Sequence, residues 1–269
     1  MPDPVVIALK AFDAAVFDLD GVITKTALVH AAAWKELFDD YLRTRAERKG
    51  EPFRPFDGEH DYLRYVDGKP RHEGVQSFLK SRGIELPFGH PDDPPKAETI
   101  CGLGNRKNLI FNRRLASDGV EVYESSVRLL HELRSYGIRI CLVSSSKNTR
   151  TILKAAGLED LFDACVDGVE ATRLSLKGKP HPDTFLHAAD LLGVAPSRAF
   201  GVEDALSGVQ ALKAAGYGLI IGVDRAKQSA ALRNSGADVV VEDLAELRLE
   251  PPPAHKSGSD QRRQDLRNG

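Results

Sequence analysis

Phe17-Asp18-Leu19-Asp20-Gly21-Val22-Ile23-Thr24 joins an apolar strand to two carboxylates, two residues apart, and then to a glycine. Residues 14–17 are short and apolar throughout, as a strand buried on both faces requires, and Gly21 stands where the chain must turn sharply. Both carboxylates therefore fall at a strand's C-terminal end, where open α/β sheets bind their ligands. Asp-x-Asp-Gly is also ordinary turn chemistry, so the rest of the chain has to decide between a turn and a site.

Downstream, residues 27–49 read as a long helix, with Val29, Ala33, Trp34, Leu37, Phe38, Tyr41 and Leu42 on one face and charges on the other. From 50 to 119 the composition shifts to aromatics, charges, Gly and Pro, with short helical patterns at 75–80 and 106–115 and a Pro/Gly/Asp loop at 87–95. Residues 27–119 are thus expected to form a separate, mostly helical domain interrupting a first one made of 1–26 and 120–249. After Ser125 the rhythm changes. A helix at 127–136 leads to a buried strand at 139–144, and apolar strands follow at 164–166, 199–202, 218–223 and 238–241, separated by helices that close on Gly157, Gly193 and Gly216. That alternation predicts an α/β fold with a doubly wound parallel sheet. The tail 250–269, with Pro251-Pro252-Pro253 and little that is apolar, is expected to be disordered.

Composition narrows the partners. In 269 residues, 42% apolar and 28% charged, the net charge of −2 offers no electrostatic case for nucleic acid or an anionic membrane. Cys101, Cys141 and Cys165 lack the spacing of a disulfide framework or a zinc site. No run resembles a signal peptide or a membrane span, and a cytoplasmic monomer acting on a small molecule is expected.

The strand ends carry polar clusters: Ser144-Ser145-Ser146, Asp167-Gly168, Glu203-Asp204 and Asp224-Arg225, all expected on the same sheet edge as Asp18. An aspartate that accepts a phosphoryl group needs its own charge and the phosphate's charge neutralised. Magnesium takes oxygen ligands, which Asp18, Glu203 and Asp204 supply. Ser144 offers a hydroxyl at a strand end and Lys179 a fixed cation for the phosphoryl oxygens. Asp20 lies on the correct side of Asp18 to exchange a proton with the leaving or attacking oxygen. Each cluster has a plainer reading, as a helix cap (144–146), a surface loop (178–180) or a solvated turn (203–204). Only a single site explains the whole set economically.

Four motifs occur in order, Asp18-Leu19-Asp20 with Gly21, Ser144, Lys179-Pro180 and Glu203-Asp204-Ala205. Over residues 14–241 the chain resembles the phosphotransferases of the haloacid dehalogenase superfamily. Within it the stretches 17–24, 143–148, 179–183 and 201–208 most resemble β-phosphoglucomutases. The resemblance implies a Rossmann-like core with an inserted helical cap. It also implies conversion of β-glucose 1-phosphate to glucose 6-phosphate through β-glucose 1,6-bisphosphate and an aspartyl-phosphate enzyme. It makes Asp18 the phosphorylated nucleophile and Asp20 the general acid/base. Mg2+ is then held by Asp18, the Asp20 carbonyl, Glu203 and Asp204, and the transferring phosphoryl group by Ser144 and Lys179. Ser146, Lys147 and Asn148 match residues near the phosphate sites. In the cap, Arg71 matches an arginine gripping the other phosphate, Lys107 a sugar-side lysine, and Thr26 and His30 positions at the hinge and near the general acid. Lys25 stands where the family usually has an acidic residue, Glu124-Ser125 replaces a common Pro-Gly turn, and the cap is longer at 51–61 and 81–99. A magnesium-dependent sugar-phosphate phosphatase uses the same residues with water as acceptor. A catalytically silent binding module is the reading against which Asp18, Asp20, Lys179 and Asp204 argue.

Overall fold

A computed structural model describes residues 5–251 of the chain. The elements run β1 (Val5–Ala8), β2 (Ala14–Asp18), α1 (Thr26–Lys49), α2 (Arg71–Ser81), α3 (Ile100–Asp118), α4 (Glu124–Ser135), β3 (Arg139–Val143), α5 (Thr149–Ala156), β4 (Ala164–Val166) and α6 (Gly168–Arg173). They continue with α7 (Asp183–Leu192), β5 (Ala199–Glu203), α8 (Leu206–Ala215), β6 (Leu219–Val223), α9 (Ser229–Ser235), β7 (Val239–Val241) and β8 (Leu247–Glu250).

Six strands form one parallel sheet in the order β4-β3-β2-β5-β6-β7. Every residue of β2 is buried, because helices cover both faces. Ala15 and Phe17 pack on one side with Leu129, Leu130 and Leu133 of α4, while Ala14 and Val16 pack on the other with Phe185 and Leu192 of α7 and Leu212 of α8. That is the period-two alternation of a strand working between two layers. From β2 the chain goes outward to β3 and β4, then returns across β2 to β5 and leaves in the opposite direction. The C-terminal end of β2 is thus the switch point of the sheet, where the crossovers diverge and leave a crevice. Asp18 is the last residue of that strand.

Between β2 and α4 lies the helical insertion. Helix α1 buries Trp34, Leu37, Phe38, Tyr41 and Leu42 as its periodicity predicts. Phe38, Phe56 and Phe78 meet with ring centroids 4.1–5.2 Å apart, giving the insertion its own aromatic centre. The connections into and out of it run side by side: Lys25 N donates to Glu121 O and Tyr123 N to Ile23 O, each at 2.9 Å, and the Lys25 ammonium pairs with Glu121 at 2.8 Å.

Several bounds differ from the expected ones. Helix α3 starts at Ile100, six residues before its periodic pattern, because Thr99 Oγ1 accepts from Gly102 N as an N-cap while Gly102 and Gly104 dilute the helical signal. Helix α4 begins at Glu124, so Glu124-Ser125 starts the helix where a Pro-Gly turn was the family's alternative. The parallel pair β1·β8 was not foreseen, since its strands lie at opposite ends of the chain and neither is long. Glu250, assigned to the tail, closes β8; residues 252–269 lie outside the described residues. Among the described residues no helix is long and apolar enough to cross a membrane.

Candidate active site

After Asp18 the chain turns on Gly21, whose φ of +87° is a conformation that L side chains rarely adopt. A Cβ there would fall inside the Asp204 carboxylate, far closer than the 3.0 Å that real Cβ atoms keep. The turn is closed by Ile23 N and Thr24 N donating to Leu19 O, both at 2.9 Å. Arg225 Nε donates to Gly21 O at 2.9 Å, its guanidinium lying 3.6 Å from the centre of the Tyr123 ring. Gly21 thus lets the turn after β2 approach Asp204 at the end of β5, while Arg225, from the loop after β6, holds the turn's carbonyl.

At that contact, carboxylate oxygens of Asp18, Glu203 and Asp204 all lie within 4.8 Å of one another. Lys179 Nζ donates to Asp18 Oδ1 at 2.5 Å and also to Glu203 Oε1, and Ala205 N donates to Glu203 Oε2 at 3.0 Å. Burial lifts the Asp18 carboxyl well above the ordinary range; Lys179 opposes the rise and Glu203 and Asp20 add to it. Asp204 is raised the same way, by burial first and then by Asp67, Glu203 and Asp18. Burial works against the Lys179 charge, yet Asp18 and Glu203 outweigh it and hold the ammonium above its usual value. One lysine among two buried carboxylates and the half-buried Asp204 leaves an excess of negative charge that is costly to hold unpaired at low dielectric. An all-oxygen donor set of this kind suits a hard divalent cation such as Mg2+.

The Asp20 side chain turns away from this cluster. Thr26 Oγ1 donates to Asp20 Oδ1, and His30 Nε2 lies 3.5 Å from the same oxygen. Burial alone would raise the Asp20 carboxyl, but His30, Thr26 and Lys107 together hold it below its ordinary value. His30 stacks on Phe111 at 4.1 Å and bonds Lys107 Nζ through Nδ1. The Lys107 ammonium, 5.0 Å from the Trp34 ring centre, is brought down to about 7 by burial, with Asp20 pulling it up and Arg71 adding to the fall.

A cavity of about 360 Å³ opens over the strand ends. Asp18, Asp20, Ser144, Ser146, Lys147 and Asn148 line it from the sheet side; His30, Arg71 and Lys107 line it from the insertion. Two expected site residues stand behind its wall. Thr26, expected at the substrate, is buried and reaches Asp20. Lys179 is enclosed beneath Asp18 and Glu203. Ser144 is not a helix cap: Ser146 N donates to its Oγ at 3.1 Å in a turn ahead of α5, whose N-cap, Asn148, makes no side-chain capping bond, and the residue faces the cavity. Of the other polar strand ends, Asp167 caps α6 by accepting from Val169 N and Glu170 N, and Asp224 accepts from Gln228 N. Insertion and sheet side also touch directly: Ser145 Oγ donates to Gly68 O at 2.9 Å, Ser207 Oγ to Asp67 O at 3.3 Å, and Asn148 Nδ2 to Asn108 Oδ1 at 2.8 Å.

Tyr62, Asp67, His72 and Asn108 line the cavity without having been foreseen. Burial and then Glu203 raise the Asp67 carboxyl to about 7, with the Tyr62 hydroxyl opposing. Asp67 follows a single π-helical turn at Tyr62–Val66, whose register differs from the α-helical period, and its N donates to Tyr62 O at 3.0 Å. The charge-rich run Asp67-Gly68-Lys69-Pro70-Arg71-His72 was the available signal.

A strand-end aspartate at the switch point of a parallel sheet, backed by a buried lysine and an oxygen cluster fit for a divalent cation, is the arrangement that aspartate-based phosphoryl transfer requires. The haloacid dehalogenase-like hydrolase family matches residues 12–216. A β-phosphoglucomutase of Mycobacterium tuberculosis is 53% identical over 237 residues, covering 87% of this chain and 90% of the relative. The β-phosphoglucomutase of Bacillus subtilis is 36% identical over 238 residues, covering 88% and 92%. The crystal structure of β-phosphoglucomutase from Clostridium difficile matches with a TM-score of 0.68 at 28% identity, covering 88% of this chain and 93% of that one. The chain belongs to the β-phosphoglucomutase family of haloacid dehalogenase-like enzymes. It is an enzyme of the phosphotransferase and isomerase kind, and membership implies a general dependence on Mg2+.

Proposed function

We propose that this enzyme interconverts β-glucose 1-phosphate and glucose 6-phosphate in the cytoplasm, as a monomer, through β-glucose 1,6-bisphosphate. The observation that carries the reading is one cavity with Asp18 at its sheet side and the cations Arg71 and Lys107 at its insertion side. A site that only removed the phosphate of a monophosphate ester has no need of a second cationic wall. A bisphosphate that turns over between two ends does.

In the proposed cycle an Asp18 carboxylate oxygen bonds to the phosphorus of the bisphosphate, and the bond from phosphorus to the sugar oxygen breaks. Asp20, held below its ordinary value in the resting site and therefore ionised, takes a proton from the attacking sugar hydroxyl when the phosphorylated Asp18 gives up its group, and returns that proton to the leaving sugar oxygen in the opposite transfer, so proton and phosphoryl group exchange in balance. Asp20 is connected for this work, because Thr26 and His30 fix its carboxyl beside the cavity. Ser144 and Lys179 hold the transferring group, Lys179 through its contact with Asp18. Arg71, Ser146, Lys147 and Asn148 hold the other phosphate, and His30 and Lys107 the sugar side. Asp18, the Asp20 carbonyl, Glu203 and Asp204 would hold Mg2+, which when bound supplies charge neutralisation to the phosphoryl oxygens. The division into a core (1–26 and 120–249) and a cap (27–119) lets the insertion close over the sheet edge and exclude water. Ser145–Gly68, Ser207–Asp67 and Asn148–Asn108 are the hydrogen bonds that would be made on closure.

Phosphoenzyme mapping tests the assignment. Incubation with the bisphosphate, acid quench and peptide mass spectrometry should place a phosphoryl group on Asp18. A label on another residue, or none, overturns the cycle.

A further inference from the structure

Arg71 is aimed into the cavity by partners that carry no charge. Its Nη2 donates to Asn105 Oδ1 at 3.0 Å and its Nε to His72 Nε2 at 3.4 Å. Among the described residues no carboxylate pairs with it, so its charge is left whole for a ligand. A guanidinium held by carboxylates is already half satisfied, whereas one held by neutral acceptors is oriented and still hungry for an anion.

The orientation of Asn105 follows from its neighbours. Its Nδ2 donates to Pro91 O at 2.8 Å and to Asp93 O at 2.9 Å. The flipped amide would set an oxygen against two carbonyls and an NH2 against the guanidinium, so only one orientation satisfies all three contacts. Pro91 and Asp93 belong to the longer stretch at 81–99. That stretch is closed at its base by Ile100 N to Pro87 O at 2.9 Å and Cys101 N to Phe88 O at 3.0 Å, and internally by Thr99 Oγ1 to Asp93 Oδ2 at 2.6 Å. His72 is seated on α3 at Gly104, where a Cβ would come within 2.5 Å of its Cδ2. Burial, Arg71 and Lys147 hold His72 down to about 4, so its ring is neutral and free to accept.

We infer that Asn105, with His72, is a positioning residue for Arg71, and that the extra loop at 87–99 serves as the brace that fixes this arginine toward a substrate bearing a second dianionic phosphate. The inference rests on the reading of Arg71 as the grip for the non-transferring phosphate. Asn105 touches no reacting atom in this scheme and acts only through Arg71.

The test is a double-mutant cycle. Binding of glucose 6-phosphate is measured by titration calorimetry on the full chain, its Asn105→Ala and Arg71→Ala variants and the double variant. In parallel, labelling of the protein by acetyl phosphate, a phosphoryl donor without a sugar, is followed. Losing an aligned hydrogen bond to a charged group costs on the order of tenfold in affinity. Asn105→Ala should therefore weaken glucose 6-phosphate about tenfold in the native background and not at all once Arg71 is gone, because a residue acting through another has nothing left to act on. Acetyl phosphate labelling should be unchanged by Asn105→Ala. Equal losses in both backgrounds, or none in either, overturn the inference. Should Asn105→Ala fail to fold, His72→Leu enters the same cycle, with His72→Gln restoring an acceptor and the affinity; equal binding by these two variants overturns it. If the native chain is not labelled by acetyl phosphate while the cycle still shows coupling, the phosphoryl-acceptor reading fails and the brace stands.

Discussion

Replacing Gly21 by alanine strikes the turn and the carboxylate cluster at once, and its two costs can be separated. At φ +87° a side chain is strained, by about 1–2 kcal/mol per residue for left-handed backbone. The new methyl would also overlap the Asp204 carboxylate, which must retreat until at least 3.0 Å separates them. Asp204 shares its place with Asp18 and Glu203, so the retreat opens the oxygen cluster. A misplacement of about 1 Å at a reacting centre costs on the order of 100-fold. Gly21→Ala should therefore need roughly 10- to 100-fold more Mg2+ for half-maximal turnover, and melt roughly 2–8 °C lower given a domain of this size. Gly50→Ala supplies the control: its φ is +66° and a Cβ there meets nothing within 4 Å, so it should lower the melting temperature and leave the Mg2+ dependence unchanged. Initial rates over a magnesium series, with scanning calorimetry alongside, read both quantities. Superimposable magnesium curves for Gly21→Ala and the native chain would refute the placement of Asp204 at the metal.

Asp20→Asn should lower turnover by about 10²–10⁴-fold while the fold survives, as expected for loss of a positioned proton carrier; rate and circular dichroism together check it. Ser145→Ala with Ser207→Ala removes the bonds to the carbonyls of Gly68 and Asp67. Each is worth about 0.5–1.5 kcal/mol, so the double variant should release more inorganic phosphate per glucose 6-phosphate formed. Lys107 sets a pH signature on stability. Its folded value near 7 lies below the unfolded one, so between about pH 7 and 10 the unfolded chain keeps a proton that the folded chain has shed, and stability rises with pH there. The ceiling on that rise is roughly 4 kcal/mol. In chelator and without sugar phosphate, Lys107→Met should flatten the rise; an identical pH profile would show that Lys107 stays charged in the fold.

Much of this was legible because the strand ends are local in sequence. An apolar run, two carboxylates and a glycine place Asp18 at a sheet edge, and parallel strands bring Ser144, Glu203 and Asp204 to the same edge by topology alone. What escaped depends on contacts between distant segments. Arg225 holds the Gly21 carbonyl from a loop 204 residues away, and β1 pairs with β8 across nearly the whole chain. Asp67 follows a π-helical turn and His72 lies in the first turn of α2, where the sequence period says little about which way a side chain points. Lys179 was named from its motif and Thr26 from the family resemblance, but their burial behind the cavity wall follows only from packing.

The central claim is that phosphoryl groups pass through Asp18 between sugar oxygens and not to water. Supplying β-glucose 1-phosphate with magnesium and a trace of β-glucose 1,6-bisphosphate, then following glucose 6-phosphate through a coupled dehydrogenase with inorganic phosphate in parallel, tests it directly. Glucose 6-phosphate should accumulate while phosphate stays flat, and Asp18→Asn should abolish the accumulation. Phosphate rising in step with substrate loss, with no glucose 6-phosphate formed, would contradict it and make the enzyme a phosphatase.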